Sequence, residues 1–281
     1  MSAWFRDGVA CESIPIDDRG LQYGDGVFET IAIRDGSPRL WRYHVDRLVE
    51  GCKCLRITPP AETVLRGWLE HALRSSAADV ADCVAKIIVT AGVSQRGYGR
   101  LSPSEANTLV GLFPTMPLAA DAYKDGVETI LCRTRLACGS ATAGFKTLNR
   151  IEQVLARSEC LAAGAFEGLT LDADERLICG TMSNVFIVSN KVLITPSVER
   201  SGVAGVMRRH VIDCLEAAGI SVQIGDITEQ EFNAADEVFL CNSQFGVLPV
   251  RSCGAHQFGV GELTRRAMAL LAGNGIGECA V

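Results

Sequence analysis

Two prolines three residues apart, Pro114 and Pro117, break periodic structure in the segment LFPTMPLAA. Proline locks its own φ and removes a backbone donor, so neither a helix nor a central strand runs through such a pair. The chain is expected to divide here. A smaller N-terminal α/β domain would span residues 1–113, a linker 114–121, and a larger C-terminal domain 122–281. The length of 281 residues agrees with two domains.

On both sides of the break, strand-like and helix-like patterns alternate. VFETIAIR (27–34) is rich in β-formers and runs into an Asp35-Gly36 turn. Leu40, Trp41, Val45, Leu48, Val49 and Cys52 then recur at helical spacing, and a second helix fits 61–76. CVAKIIVTA (83–91) reads as a buried strand, and 107–113 as another. Past the linker, a strand is expected at 127–136, then a loop of small residues. A helix follows at 149–163 with Ile151, Val154, Leu155 and Leu161 on its apolar face. Residues 184–195 read as a hairpin turning at Asn190-Lys191, Gly202 to Ala218 as a glycine-led helix, 236–241 as a strand and 261–272 as a closing helix. Two blocks of mixed elements predict an α/β (α+β) fold of two domains, and active sites favour the cleft between such domains.

Composition narrows the function classes. Hydrophobic residues make up 48% and charged residues 21%, enough apolar content for a sizeable core. With 27 Lys+Arg against 33 Asp+Glu, the net charge of -6 offers nucleic acid no footprint, and no basic run addresses a membrane surface. No apolar stretch reaches the roughly 18 residues needed to span a bilayer. The leading segment MSAWFRDGVACES lacks the charged-then-apolar pattern of an export signal. The 12 cysteines are spread thinly, many within apolar runs, and are expected to be reduced and mostly buried in a cytoplasm. A structural metal is not expected: there is no C-x-x-C pair, only Cys52-Lys53-Cys54, and His44, His71, His210 and His256 stand alone.

Five lysines limit where amine chemistry can sit. Lys53 lies on a polar helix face, Lys124 near the linker and Lys191 in a turn, while Lys86 interrupts an apolar strand and is expected to reach for its edge. Lys146 follows a small-residue loop and directly precedes a helix start. The positive end of a helix dipole disfavours an ammonium there, and a neutral amine is what Schiff-base chemistry needs; an ordinary loop lysine is the plain alternative. The run Ser201-Gly-Val-Ala-Gly205-Val-Met-Arg208 exposes backbone N–H groups at a helix start, where a phosphate could bind. Arg96, in a polar glycine-containing loop, is either a carboxylate grip or simply solvated.

Taken in order, RGLQYGDGVFET (19–30), YHVDRL (43–48), RGYG (96–99), GFKTLNRIEQVLAR (144–157), GTMSNVF (180–186), TPSVERSGVAGVMR (195–208) and ADEVFLCNSQFGVLPV (235–250) are specific. Along nearly its whole length the chain resembles the class IV pyridoxal-phosphate aminotransferase family (fold type IV), with its nearest likeness to the 4-amino-4-deoxychorismate lyases in that family. The resemblance implies a two-domain enzyme with pyridoxal 5'-phosphate as cofactor. Lys146 looks like the lysine that carries the cofactor, and Arg47 like the arginine that binds its phosphate. Gly205, Val206 and Met207 match the helix start that cradles the same phosphate, with Asn242 and the hydroxyl of Ser243 beside it. Ser183 and Asn184 match residues along the cofactor ring. Tyr23, Arg96 and Tyr98 fall where related enzymes contact substrate carboxylates. Thr30 stands where branched-chain aminotransferases carry glycine, and it favours elimination over transamination.

One position departs from the pattern. Cys179 stands where the family usually carries a glutamate that pairs with the cofactor's ring nitrogen. A thiolate could substitute, a shifted carboxylate could reach in, or the cofactor is a weaker electron sink here. The activity implied is conversion of 4-amino-4-deoxychorismate to 4-aminobenzoate and pyruvate, a step toward folate, with Lys146 as the base. The alternatives are a class IV aminotransferase acting on D-amino or branched-chain amino acids and a cofactor-binding homologue without activity. The resemblance also implies a homodimer.

Overall fold

The computed structural model describes residues 3–76, 81–100 and 105–280. The chain forms two compact units. The first runs to Met116 and takes back Phe145–Asn149; the second holds Pro117–Gly144 and everything from Arg150 onward.

The first unit contains strands β1 (Ala3–Arg6), β2 (Val9–Ala10), β3 (Gly26–Arg34), β4 (Ser37–Pro38), β5 (Cys83–Thr90) and β6 (Asn107–Pro114), with helices α1 (Arg19–Tyr23), α2 (Trp41–Cys54) and α3 (Glu62–Ser75). The strands form one antiparallel sheet in the order β2-β1-β6-β5-β3-β4. Burial along β5 alternates strictly from Cys83 to Val89, the period of a sheet with one face packed. The packed face carries Ile31, Ala85, Ile87, Val89 and Val110, and it meets Val45, Leu48 and Cys52 from α2 and Leu65, Leu69 and Ala72 from α3. Each fully buried leucine here contributes about 1.5–3 kcal/mol. Phe28, Thr30 and Lys86 alternate onto the other face, with Thr30 and Lys86 directly opposite each other.

The second unit holds β7 (Val127–Leu131), β8 (Glu167–Leu171), β9 (Leu177–Gly180), β10 (Asn184–Ser189), β11 (Val192–Pro196), β12 (Val222–Gly225), β13 (Glu237–Asn242), β14 (Gly246–Cys253) and β15 (His256–Gln257). Its helices are α4 (Ala120–Asp125), α5 (Ile151–Ala162), α6 (Val206–Ala217), α7 (Glu229–Asn233) and α8 (Glu262–Gly273). The sheet path is β12-β11-β10-β13-β14-β7-β8-β9, with β15 added on β14. β11–β12, β14–β7 and β7–β8 are parallel and the remaining pairs antiparallel. β13 is buried on both faces, and Phe239 stacks on its cross-strand partner Phe186 with ring centroids 4.8 Å apart. Helices α6 and α8 pack together and against β13. No helix of the described residues is long and apolar enough to cross a membrane.

Several expectations change in detail. The strand expected at 127–136 ends at Leu131, because the N–H groups of Arg133 and Thr134 bond the Glu159 carboxylate instead of a neighbouring strand. The hairpin turns at Asn190 and Lys191, both with positive φ, the geometry of a two-residue turn matched to strand twist. Lys86 lies on a strand flanked by β3 and β6, so no sheet edge is within its reach. On α5, Ile151, Val154, Leu155 and Leu161 are exposed, while Ala156 and Cys160 are buried. The inward stripe is small because α5 approaches β8 closely: a Cβ on Gly168 would overlap Cys132 Sγ and press on Cys160. Gly168→Ala should therefore destabilise the protein by about 1–3 kcal/mol, the usual cost of overpacking. Urea unfolding checks this, and Cys132→Ala in the same chain should recover part of the loss.

Candidate active site

Lys146 lies in the returning segment of the first unit. β4 pairs only with Ile33 and Arg34, which leaves the other end of β3 open on that side. Phe145–Asn149 fills the opening: Phe28 N donates to Lys146 O and Leu148 N to Gly26 O, both at 2.9 Å. The Lys146 ammonium sits 4.3 Å from the centre of the Phe28 ring, and that of Lys86 lies 5.1 Å from the same ring. Thr30 shares the face. One sheet face thus presents an amine, a hydroxyl and a second cation around one aromatic ring, and a ring quadrupole attracts cations.

On the opposite side of β3, Glu29 is buried against α2. Arg47 grips it as a fork: Nε donates to Oε1 at 2.8 Å and Nη2 to Oε2 at 2.5 Å. His44 Nδ1 lies 2.6 Å from Oε2. Burial alone would raise the pKa of Glu29, but the charges and hydrogen bonds of Arg47 and His44 outweigh it and lower it to about 2. Burial pushes the His44 imidazole below its usual range; Glu29 opposes this, while the Arg47 and Lys146 charges add to it. With Glu29 ionised, its Oε2 accepts and the His44 Nδ1–H donates.

The loop carrying Arg96 and Tyr98 is held by Arg19, which is buried at the start of α1. Arg19 donates to Asp25 at 2.7 Å, Ser94 Oγ at 2.9 Å, and the carbonyls of Gly97 and Tyr98 at 3.0 Å each. Tyr23 serves the same loop: its hydroxyl accepts from Gly97 N at 3.3 Å and its ring packs on Tyr98 at 5.5 Å. Tyr23 thus shapes the loop, while Arg96 and Tyr98 are exposed on it.

In the second unit, helix α6 begins at Gly205 with no side-chain cap and no acid in its first turn. The first N–H groups of an α-helix have no partner within it and attract anions. Gly205 is required locally, since a Cβ there would overlap Asn184 Oδ1. Asn184 in turn donates to Val203 O at 2.9 Å and anchors the approach to the helix, where Val206 and Met207 are buried. Asn242 Nδ2 reaches Met182 O at 3.3 Å, and its Oδ1 accepts from Gln244 N and Phe245 N, fixing the turn that presents Ser243.

The residues around Cys179 explain how that region keeps its shape. Glu167, fully buried, accepts from Gly168 N, Thr181 N and Thr181 Oγ1 on one oxygen, and from Met182 N and Ser183 Oγ on the other. Both of its oxygens are thus committed to tying residues 181–183. The Ser183 hydroxyl is likewise engaged with Glu167, at 2.8 Å. Cys179 is buried; its carbonyl accepts from Thr170 Oγ1 at 2.9 Å and its sulfur lies 3.7 Å from that hydroxyl. Arg150 interacts electrostatically with Cys179.

Pyridoxal phosphate calls for a lysine, a cation for its phosphate and a helix start open to an anion. The first unit carries Lys146 and Arg47, and the second, taken by itself, carries the uncapped α6 start formed around Gly205. Spacing had not singled out Lys86, Glu29, His44, Arg19 or Glu167. The available signals were a lysine inside an apolar strand and a glutamate inside a β-rich one. Among the described residues one group has metal-ligand spacing, Cys138, Asp172 and Asp174, but Arg176 donates to all three.

A family model described as amino-transferase class IV matches residues 26–253. The chain is 37% identical over 268 residues to the aminodeoxychorismate lyase of Vibrio harveyi, covering 92% of this chain and 96% of that one. It is 26% identical to the D-alanine aminotransferase of Bacillus licheniformis, over 95% and 94% of the two chains. The solved 4-amino-4-deoxychorismate lyase from Pseudomonas aeruginosa matches with a TM-score of 0.91 at 42% identity, over 97% of this chain and 99% of that one. The Escherichia coli branched-chain amino acid aminotransferase shares the fold, with a TM-score of 0.87 at 24% identity, over 98% and 95%. The chain belongs to the class IV aminotransferase family and has the fold of its fold type IV members.

The Glu29 cluster sets an acid limit on stability. Folded Glu29 titrates near about 2 against 4.5 as a free group, so its contribution is present above 4.5 and lost as pH falls toward 2. His44, lowered from 6.5, adds a loss that starts as pH falls below that value. The melting temperature should thus begin to fall below about pH 6.5 and fall further between about pH 4.5 and pH 2, and His44→Leu should flatten the upper part of that decline. A melting temperature constant across the range would refute the pairing.

Proposed function

We propose that this chain is a pyridoxal-phosphate-dependent lyase that converts 4-amino-4-deoxychorismate to 4-aminobenzoate and pyruvate, a step of folate biosynthesis. Its support is strongest in the first unit, where Lys146, Thr30 and Lys86 share one sheet face around Phe28. The two lyase relatives, at 37% and 42% identity, favour it over transamination.

Lys146 and Arg47 would hold the cofactor with the α6 start at Gly205, Val206 and Met207 and the Ser243 turn, while Ser183, Asn184 and Cys179 line it. The bound cofactor supplies an electron sink for the amine-bearing carbon. The chain's own residues handle protons and charge. Lys146, acting as the base, removes the proton from that carbon. The ether carbon–oxygen bond then breaks, the ring becomes aromatic, and the departing three-carbon fragment takes up a proton to become pyruvate, so one proton is removed and one returned. Lys146 delivers that second proton, and Thr30 offers a hydroxyl on the same face to hold or pass it. The substrate carries two carboxylates. Lys86 supplies a fixed cation on the face and Arg96 an exposed one on its loop, with Tyr98 beside it and Tyr23 beneath.

The same reading includes a homodimer in the cytoplasm. Exposed Ile151, Val154 and Leu155 form an apolar stripe of the kind a second copy covers, and all twelve cysteines are free thiols, as a reducing compartment keeps them. Val154→Glu with Leu155→Glu should shift sedimentation from dimer to monomer; an unchanged coefficient would remove α5 from the interface.

The activity is tested by supplying purified protein with pyridoxal phosphate and fresh aminodeoxychorismate and following both products. Equal yields of pyruvate and 4-aminobenzoate are expected, abolished in Lys146→Ala. Cofactor binding with neither product would overturn the lyase reading, and keto-acid formation from D-amino or branched-chain donors would replace it with a transaminase.

A further inference from the structure

Glu29 is a carboxylate buried in the first unit, and none of the proton transfers above uses it. It faces α2 rather than the face that carries Phe28 and Thr30. Its two oxygens nevertheless take the Nε and Nη2 edge of Arg47, the residue read above as the phosphate cation.

We propose that Glu29, clamped by His44, is the positioning residue for Arg47, and that this buried pair sets the protein's preference for a phosphate-bearing cofactor without touching it. The inference rests on the cofactor reading of Arg47. An arginine is flexible about its stem but planar at its head, so a two-point grip on one edge fixes the plane and direction of the whole guanidinium. The grip is only as firm as the carboxylate. Glu29 is held by the fork at 2.8 and 2.5 Å and by His44 Nδ1 at 2.6 Å, on a side chain only 2% exposed. His44 is buried as well, and its Nε2 has no hydrogen-bond partner among the described residues. An orphaned ring nitrogen in a core is tolerated where the other nitrogen is needed. Here that need is to lock the carboxylate.

Two physical accounts of Glu29 predict opposite signs. If only its charge mattered, it would weaken phosphate binding by neutralising Arg47, and removing the charge would tighten binding. If it positions Arg47, removal loosens binding, and only for ligands that carry a phosphate.

Full-length protein stripped of cofactor is titrated with pyridoxal phosphate and, separately, with pyridoxal, following the absorbance of the bound compound. Glu29→Gln should raise the Kd for pyridoxal phosphate by about 10- to 100-fold and move that for pyridoxal by no more than about twofold, the scale of a lost charge-assisted fork. Arg47→Ala marks full loss of the preference. His44→Leu, which keeps Glu29 and Arg47, should give a smaller shift in the same direction, and it carries the test if Glu29→Gln does not fold. Unchanged or tighter binding of pyridoxal phosphate in these variants would overturn the proposal, as would equal weakening of both ligands. Wild-type protein that takes up neither compound would instead bring down the cofactor reading, and this inference with it.

Discussion

A carboxylate ionised inside a hydrophobic core is the constraint around which the first unit is arranged. Placing Glu29 on the packed face of β3 would be prohibitive by itself, because desolvation disfavours the charged form. It is tolerated because α2 crosses that face and brings His44 and Arg47, one turn apart, onto the two oxygens. The core residues of α2, Val45 and Leu48, are interleaved with these two polar ones. Apolar packing and the buried ion pair therefore specify the same docking of helix on strand. Strand alternation then sends Thr30 and Phe28, the neighbours of Glu29 on either side, to the opposite face, where Lys86 and Lys146 meet the Phe28 ring. One strand holds a buried charge on one side and the contacts of two lysines on the other.

The second unit repeats the strategy with a different glutamate. Glu167, at the start of β8, turns its oxygens onto the N–H and hydroxyl groups of Thr181, Met182 and Ser183. A loop that would otherwise leave several buried donors unpaired becomes rigid, and Asn184 begins β10 directly after it. Asn184 then reaches Val203 and, through its contact with Gly205, constrains the start of α6. Cys179 lies within this framework, buried beside Thr170 and near the charge of Arg150. The neighbouring carboxylate is already consumed in holding the loop.

Much of the fold was legible because local pattern and burial agree. The alternation of Cys83 to Val89 and the Asn190-Lys191 turn are encoded within a few residues. Motif order carried the family resemblance, and with it the proposal of Lys146, Arg47 and Gly205 as site residues. The misreadings share one cause. On α5, both a large apolar stripe and a small one satisfy helical spacing, and the inward one was decided by the closeness of β8 at Gly168. Lys86 looked like a residue near an edge because strand order is not written in local sequence; β5 lies between β3 and β6. Glu29 and Glu167 were passed over because a carboxylate's burial depends on partners 15 and 18 residues away in one case and up to 16 in the other.

By itself, the sequence determined the period of most elements and the order of the family motifs. These are properties of short windows, where backbone sterics and side-chain alternation act without help from the rest of the chain. Only the tertiary structure decided which stripe of α5 is buried, that Phe145–Asn149 returns to the open end of β3, and which charged groups are paired in the core. Those outcomes depend on desolvation and close packing between segments far apart in the chain. Neither energy exists until the segments meet.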